Sequence, residues 1–398
     1  MSVVISAQGA ATAFGIEAED FERGLSEGRT AITPFSERLA GFPPGFGAAV
    51  PTVRSALRKM PGGRSLRPST MSRPTWLTAV GLGLALQDAG LAPDDEEQSR
   101  SRRSVLVGTQ TNMPDMERHL RFWRLAGADS EVYSLDPERT QKAMRVFGAF
   151  EYLRLMNNMP GAHAALQTGS FGLVNTLLGG AASGLQAVVR AVDEIAMGRS
   201  QQILAGGVGT AVNEHRSLLR QAQGFWLPKG SAQQDCRPWE AGSMGSIPGE
   251  ASCFFLLETA AEADGAGRKA HALVSAAESA FAPLAAGREQ AAVSHYAGML
   301  DRVLNSSSKQ SQDIDLIFGT GSGVPALDRI ELEVLQKAGL DQIPRISLVP
   351  SLGFCEAATG PLGISAALHE FRSGNAGNVL VFVLSPEGNS AALVLSSK

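Results

Sequence analysis

Short apolar runs rich in β-branched residues alternate along this chain with longer segments of helical periodicity. Such alternation is typical of an α/β fold, in which helices cover the faces of a sheet. The clearest helical pattern is Ala182–Met197, where Leu185, Val188, Val192 and Ile195 recur on one face. Further helices are predicted at Trp76–Asp88, Gln290–Leu304 and Gly363–Phe371.

The predicted strands form two series, which are separated by a polar segment at Thr259–Ala270. Each series alternates strands with helices and ends in paired strands. We therefore predict two similar halves, residues 1–258 and 259–398. The first series comprises Val3–Ser6, Ser104–Gly108, Leu173–Leu177, Ile203–Gly206 and Ser252–Leu257. The second series comprises Ala272–Ala276, Ile314–Phe318, Arg345–Val349, Val379–Leu384 and Ala391–Leu395.

Composition and charge indicate a globular protein and argue against several other classes. A chain of 398 residues with 44% hydrophobic and 19% charged residues can bury a large core. Its net charge of -4 gives no global attraction to nucleic acid or to an anionic membrane, so neither partner is expected. No apolar run reaches the roughly 18 residues that span a bilayer. The N-terminus has neither the basic start nor the long apolar stretch of a secretory signal.

The three cysteines, Cys236, Cys253 and Cys355, have neither metal-binding nor redox spacing. We therefore expect reduced thiols in the cytoplasm, with no metal and no cofactor.

One segment near the N-terminus is basic, because no acidic residue occurs between positions 38 and 87. It is also rich in proline and glycine, so we expect a surface loop. Such a loop would attract an acidic or phosphate-bearing partner, although an ordinary basic loop explains the pattern equally well. The candidate docking residues are Arg54, Arg58, Lys59, Arg64, Arg67 and Arg73.

A run of small residues joins the strand after Leu173 to the best helix. Glycines such as Gly179 and Gly180 permit a sharp strand-to-helix turn, which exposes one side chain at the helix N-terminus. The helix dipole would there lower the pKa of a thiol and make it a reactive nucleophile. In this chain, however, the exposed position holds the methyl group of Ala181.

Two further turns follow predicted strands, at Ile317–Gly323 and Ser351–Gly360. The first is glycine-rich, but it has neither the adjacent lysine nor the glycine spacing of a phosphate-binding loop. Taken in order with the elbow, these turns belong to a set of segments that resembles the β-ketoacyl synthases of the thiolase-like superfamily. The segments are Val3–Gly9, Ala205–Val208, Asp235–Trp239, Gly249–Ala251, Phe318–Ser322 and Leu352–Gly360.

The resemblance runs nearly end to end, and it implies an α/β, thiolase-like fold. Two βαβαβαββ halves would form a five-layer αβαβα arrangement. It also implies that the catalytic positions are lost. The nucleophilic cysteine falls on Ala181, the two histidines on Phe318 and Phe354, and the lysine on Val349. The glycine-rich loop near the C-terminus of the family is replaced around Leu384–Asn389.

These replacements remove the groups that condensation requires. A thiolate must hold the acyl chain as a thioester, and donors must stabilise the enolate that forms on decarboxylation of a malonyl unit. Alanine cannot form that bond, and phenylalanine cannot donate a proton. An engineered cysteine-to-alanine change would explain Ala181 but not two phenylalanines, so we expect the loss to be native.

The leading hypothesis is a non-catalytic chain length factor of a type II polyketide synthase, paired as a heterodimer with an active ketosynthase. The resemblance implies that residues 109–156 line the tunnel of the pair and that an acyl carrier protein is a partner. The tunnel candidates are Met113, Met116, Phe122, Phe147 and Phe150, and ordinary core packing is the alternative for each. Many such factors carry Gln where this chain has Ala181, so a divergent group, such as one that serves polyenes, is expected.

Two other hypotheses stay open. One is a homodimeric pseudo-ketosynthase that binds an acyl carrier protein as a scaffold. The other is a divergent acyltransferase that uses Cys355 or a serine as nucleophile.

Overall fold

The computed structural model describes residues 2–17, 19–35, 41–51, 56–113, 115–127, 136–148 and 150–398. Within them the strands are β1 (Val3–Thr12), β2 (Thr33–Pro34), β3 (Phe46–Gly47), β4 (Arg103–Thr109), β5 (Val174–Leu178), β6 (Gln202–Thr210), β7 (Glu250–Thr259), β8 (Ala272–Phe281), β9 (Leu316–Phe318), β10 (Arg345–Ile346), β11 (Asn378–Leu384) and β12 (Asn389–Ser396).

The described helices lie between these strands. They are α1 (Asp20–Ser26), α2 (Arg73–Ala89), α3 (Glu97–Ser101), α4 (Met116–Ala126), α5 (Pro137–Ala143), α6 (Glu151–Leu155), α7 (Met159–Thr168), α8 (Ser183–Ala196), α9 (Glu214–Ala222), α10 (Ala260–Gly265), α11 (Glu289–Ser306), α12 (Pro325–Lys337), α13 (Val349–Leu352) and α14 (Thr359–Arg372). Each of them is too short or too polar to serve as a transmembrane span.

Ten strands of the described chain form one sheet in the order β10-β9-β11-β12-β8-β1-β7-β6-β4-β5. When the five strands that each half contributes to this sheet are numbered along the chain, their order from the centre outward is first, fifth, fourth, second and third in both halves. The directions also agree, because β4 runs parallel to β5 and β6 just as β9 runs parallel to β10 and β11. The halves meet where β1 pairs antiparallel with β8. The two halves therefore have the same strand order and the same strand directions.

Helices form three layers around the two halves of the sheet. Both α8 and α14 pack against strands of each half, so they lie between the halves. Helices α2 and α7 cover the first half from outside, and α11 covers the second. The predicted pair of βαβαβαββ halves in a five-layer αβαβα arrangement is therefore confirmed. The division into residues 1–258 and 259–398 as separate domains stays a prediction.

Most helices and strands lie where the hydrophobic pattern of the sequence predicts them. The helix predicted at Ala182–Met197 is α8, Ser183–Ala196, and its apolar face is buried. One predicted strand is wrong in part, because β10 covers only the first two residues of Arg345–Val349 and Val349 begins α13. The Ser347 hydroxyl accepts a hydrogen bond from the Val349 N–H at 3.1 Å, which turns the chain. Pro350 then follows and cannot donate to a strand ladder.

Candidate functional site

Ala181 lies at the elbow between β5 and α8, in a 3-10 turn at Gly180–Ala182. Its methyl group is fully buried, and its N–H donates to Ser385 Oγ at 3.0 Å. Gly180 is required there, because its φ is +60° and a β-carbon would collide with the Ser385 and Glu387 side chains. A backbone N–H at a helix N-terminus is a natural donor to an oxyanion. Here that donor already has a partner.

Ser385 is held in this position by the tight turn between β11 and β12. The Gly388 N–H donates to the Ser385 carbonyl at 2.9 Å, and the Ser385 N–H donates to the Asn389 carbonyl at 2.8 Å. The Ser385 hydroxyl also donates to the Glu387 carboxylate. This turn is the segment that replaces the glycine-rich loop anticipated from the sequence, and it closes over the elbow.

Phe318, Phe354 and Val349, the other positions that the resemblance singles out, are buried apolar side chains. The Phe354 ring packs against Phe225 with 4.9 Å between ring centroids. Phe318 and Val349 line a void of about 10 Å³ together with Cys355. A cavity of roughly 10–15 Å³ is needed to hold one water molecule, so this void has room for one water at most.

A buried cluster of charges also lies beside the elbow. Arg220 Nε donates to Glu356 Oε1 at 3.0 Å, and Arg220 Nη2 donates to Glu356 Oε2 at 2.8 Å and to Glu387 Oε1 at 2.9 Å. Burial acts to raise the pKa of Glu356, but the charges of Arg220 and Arg216 outweigh it and hold that pKa below its usual value. For Arg220, burial acts to lower the pKa, but the charges and hydrogen bonds of Glu356 and Glu387 outweigh it and raise that pKa. Arg220 and Glu356 therefore form an ion pair in the folded protein.

The three thiols, Cys236, Cys253 and Cys355, are all free and buried. Burial raises the pKa of Cys236 to about 12 and also raises the pKa of Cys253 and Cys355. The thiolate is the reactive form of cysteine, so burial disfavours the reactive form of all three at neutral pH.

We therefore expect no thiol of the native chain to react with Ellman's reagent at pH 8 within minutes. The same chain in guanidinium chloride should release three equivalents of the chromophore, one for each cysteine. Rapid release of even one equivalent from the native chain would contradict this assignment and would revive a role for Cys355.

The structure distributes the tunnel candidates over separate places. Met113 lines a cleft of about 300 Å³ beside Gln110 and Glu250. Met116 lines another cleft of about 490 Å³. The rings of Phe122 and Phe147 pack on each other at 5.1 Å, and Phe150 is exposed. Met113 and Met116 thus line different clefts, and the role of all five side chains in a tunnel stays a prediction.

The basic docking candidates also differ from one another. Arg54 lies outside the described residues. The side chains of Arg58, Lys59, Arg64 and Arg67 are exposed. Arg73 instead binds the buried Glu250 carboxylate at 2.5 Å and the Val50 carbonyl at 2.8 Å, so its charge is already paired.

Comparison with known proteins finds a different family model for each of two parts of the chain. The family model for the N-terminal domain of β-ketoacyl synthases matches residues 1–263, and the model for the C-terminal domain matches residues 269–380. The chain belongs to the β-ketoacyl synthase family. A curated relative is the actinorhodin polyketide putative beta-ketoacyl synthase 2 of Streptomyces coelicolor. It is 24% identical over 94% of this chain and 86% of its own length.

Solved β-ketoacyl synthase structures have the same thiolase-like fold. The ishigamide ketosynthase/chain length factor superposes with a TM-score of 0.82 at 21% identity, and the match covers 100% of this chain and 99% of that one. A second neighbour is a type II polyketide synthase acyl-carrier protein in complex with its ketosynthase bound to the hexaketide. Its TM-score is 0.80 at 18% identity, with 100% and 99% coverage.

In this member of the β-ketoacyl synthase family, sequence reasoning identified the elbow but missed the charge cluster. Arg216 and Arg220 lie four residues apart on α9, so they share one helix face. This pair of arginines on one helix face was the only local sign of the charge cluster in the sequence. Their partner Glu356 lies 136 residues beyond Arg220, and no local pattern reveals that contact. Among the described residues, no group of three or more His, Cys, Asp or Glu side chains could hold a metal ion.

Proposed function

We propose that this chain is a non-catalytic chain length factor, which pairs with an active ketosynthase and shapes the tunnel that sets the length of a polyketide. The observation that carries the proposal is the filled elbow. A buried methyl group stands at position 181, its N–H is bonded to Ser385, and the buried Phe354 ring packs against Phe225. A methyl group cannot hold an acyl chain as a thioester, and a phenylalanine ring cannot donate a hydrogen bond to a developing oxyanion.

The edge of the sheet supports a partner subunit. Strand β5 is the last strand on its side, so among the described residues no strand pairs with its outer row of backbone groups. Apolar side chains on and before this strand are exposed, including Phe171, Leu173, Val174 and Leu178. A long apolar edge is a risk for aggregation unless a partner covers it. We assign the active ketosynthase to this edge because it has the same family fold and supplies the missing chemistry.

The tunnel and the carrier protein complete the proposal. Residues 109–156 follow β4, the strand next to the β5 edge, and Met113 and Met116 line open clefts there. Flexible thioethers suit an acyl chain of variable shape. An acidic acyl carrier protein would be attracted by the exposed Arg58, Lys59, Arg64 and Arg67.

The proposal is tested by co-expression with an intact ketosynthase that is encoded beside this chain. Native mass measurement is expected to find a one-to-one heterodimer, and the complex alone should extend malonyl thioesters. The same apolar edge also favours a second candidate, a homodimeric scaffold for the carrier protein. Purification as a symmetric dimer that ignores the ketosynthase would favour that candidate. Carbon–carbon bond formation by this chain without a partner would refute both.

Restoring the nucleophile alone is expected to restore no chemistry. Ala181→Cys leaves Phe318 and Phe354 in place of donors, and its N–H still binds Ser385. We expect no carbon dioxide release and no chain extension from a malonyl thioester above the background of the unmodified chain. The intact ketosynthase serves as the positive control. Decarboxylation by the single variant would show that the remaining site can still stabilise an enolate.

A further inference from the structure

A polar cleft of about 220 Å³ remains beside the elbow. It lies between the end of β4, the end of β5 and the start of β12. The lining residues are Thr109, Gln110, Thr111, Leu178, Gly180, Arg216, Glu356, Glu387 and Asn389. Leu178 is the only large apolar side chain among them. A lining of this kind suits a small polar group and does not suit an acyl chain.

Arg216 is the unsatisfied group in this cleft. Its side chain is only 7% exposed, yet its Nε has no hydrogen-bond partner among the described residues. The one hydrogen bond of its guanidinium within the described chain is long, from Nη2 to the Thr111 carbonyl at 3.4 Å. A guanidinium carries five N–H donors, and buried donors that lack acceptors are costly. The cleft therefore lacks an acceptor that Arg216 can reach.

Glu356 does not supply that acceptor. Its Oε1 lies 3.9 Å from Arg216 Nε, because Arg220 holds both carboxylate oxygens. The buried part of the cluster thus contains two guanidinium groups and one carboxylate, while Glu387 is 41% exposed. Both carboxylates are bound to Arg220, so in the part of the chain that the structure describes Arg216 has no carboxylate of its own within hydrogen-bond distance, and its positive charge favours an anion.

We propose that this cleft binds a carboxylate group through Arg216. The planar fork of a guanidinium matches the two oxygens of a carboxylate and is less suited to a neutral carbonyl. The carboxylate comes either from a small free acid or from an Asp or Glu side chain of a partner subunit that covers Leu178. Binding of a free acid does not depend on the assigned function, because the cleft lies within this chain, whereas the partner side chain rests on that function.

The free acid is tested by thermal melts of the full chain in sodium acetate, sodium chloride and acetamide at matched ionic strength. Acetate should raise the melting temperature saturably by about 1–3 °C, while acetamide and chloride should not. Arg216→Met should abolish the rise and Arg216→Lys should weaken it, since lysine has no fork. The exposed Arg288→Met is the matched control and should respond like the unmodified chain. Crystals grown in acetate should have density beside the Arg216 guanidinium.

The partner side chain is tested with the purified complex. If the partner supplies the carboxylate, acetate should stabilise the isolated chain but not the complex. Arg216→Met should then weaken association at least tenfold, while Arg288→Met leaves it unchanged. Should acetate have no effect on the isolated chain and Arg216→Met have no effect on association, the proposal is wrong. That result would leave the assigned function intact, because heterodimer formation and condensation are measured separately.

Discussion

Replacing Arg220 by methionine is expected to lower the free energy of unfolding by about 3–5 kcal/mol, the usual cost of breaking a buried ion pair from one side. Both side chains of the Arg220–Glu356 pair are nearly inaccessible, at 2% and 1% exposure. The variant leaves the Glu356 carboxylate with only Arg216 at 3.9 Å. It also removes the hydrogen bond to Glu387 that helps to hold the turn over the elbow.

Chemical unfolding of three variants separates this effect from loss of side-chain bulk. Arg329→Met removes an exposed guanidinium whose only described ion pair spans 3.9 Å, and we expect less than about 0.5 kcal/mol from it. The double change Arg220→Met with Glu356→Met removes both charges, and it should be more stable than Arg220→Met alone. A loss of under about 1 kcal/mol for Arg220→Met would mean that the pair is not essential to the fold.

The pH dependence has a definite sign. The folded pKa of Glu356 lies below its usual value of about 4.3, so the stability from this group is present above that pH. It is lost as the pH falls through the lower, folded pKa. In Arg220→Met the main counter-charge is gone and burial dominates, which raises the pKa. The free energy of unfolding of the variant should therefore rise as the pH falls from 7 to about 5. The gap in this free energy between the variant and the unmodified chain should narrow over the same range. A gap that is independent of pH would contradict this explanation.

The same cluster accounts for a local strain in the backbone. Glu356 has a φ of +46°, a left-handed conformation that side chains other than glycine rarely adopt. A residue in such a conformation costs of order 1–3 kcal/mol and persists only where its surroundings fix it. The two-oxygen contact with Arg220 fixes the side chain from one direction. Arg220→Met is thus expected to relax this backbone as well.

The sequence predicted the elements far better than the contacts between them. Helix α8 was predictable because its apolar positions follow one helical face, and the elbow was predictable because only small residues occupy it. Both are local properties of a few neighbouring residues. The strand at Arg345–Val349 was overextended, because its apolar positions hide the turn that Ser347 and Pro350 impose.

The environment of Ala181 could not be predicted in the same way. The Ser385 hydroxyl that binds its N–H lies 204 residues away along the chain. Family resemblance indicated which groups are missing at the elbow. It did not indicate that Ser385, Arg220 and Glu356 occupy the space instead, because those contacts depend on how the two halves are packed together.

Val174→Lys is expected to reduce the affinity for the ketosynthase partner by about 100-fold or more. Val174 begins the edge strand β5 and is 39% exposed in this chain. A partner that pairs with this edge would bury the new ammonium group without a counter-charge, at a cost of several kcal/mol, and each 1.4 kcal/mol is tenfold in affinity. The substitution should barely change the melting temperature of the chain alone, because the side chain is exposed there.

The opposite edge of the same sheet provides the matched control. Ile346 lies on β10, the other terminal strand, and is 40% exposed. Ile346→Lys therefore places the same charge on an equally exposed edge position, and it should leave association unchanged. Affinities from titrated binding assays, with native mass spectra as a check on stoichiometry, compare the two variants directly. Equal affinities for Val174→Lys and Ile346→Lys would place the partner elsewhere, because a partner seated on β5 distinguishes the two edges.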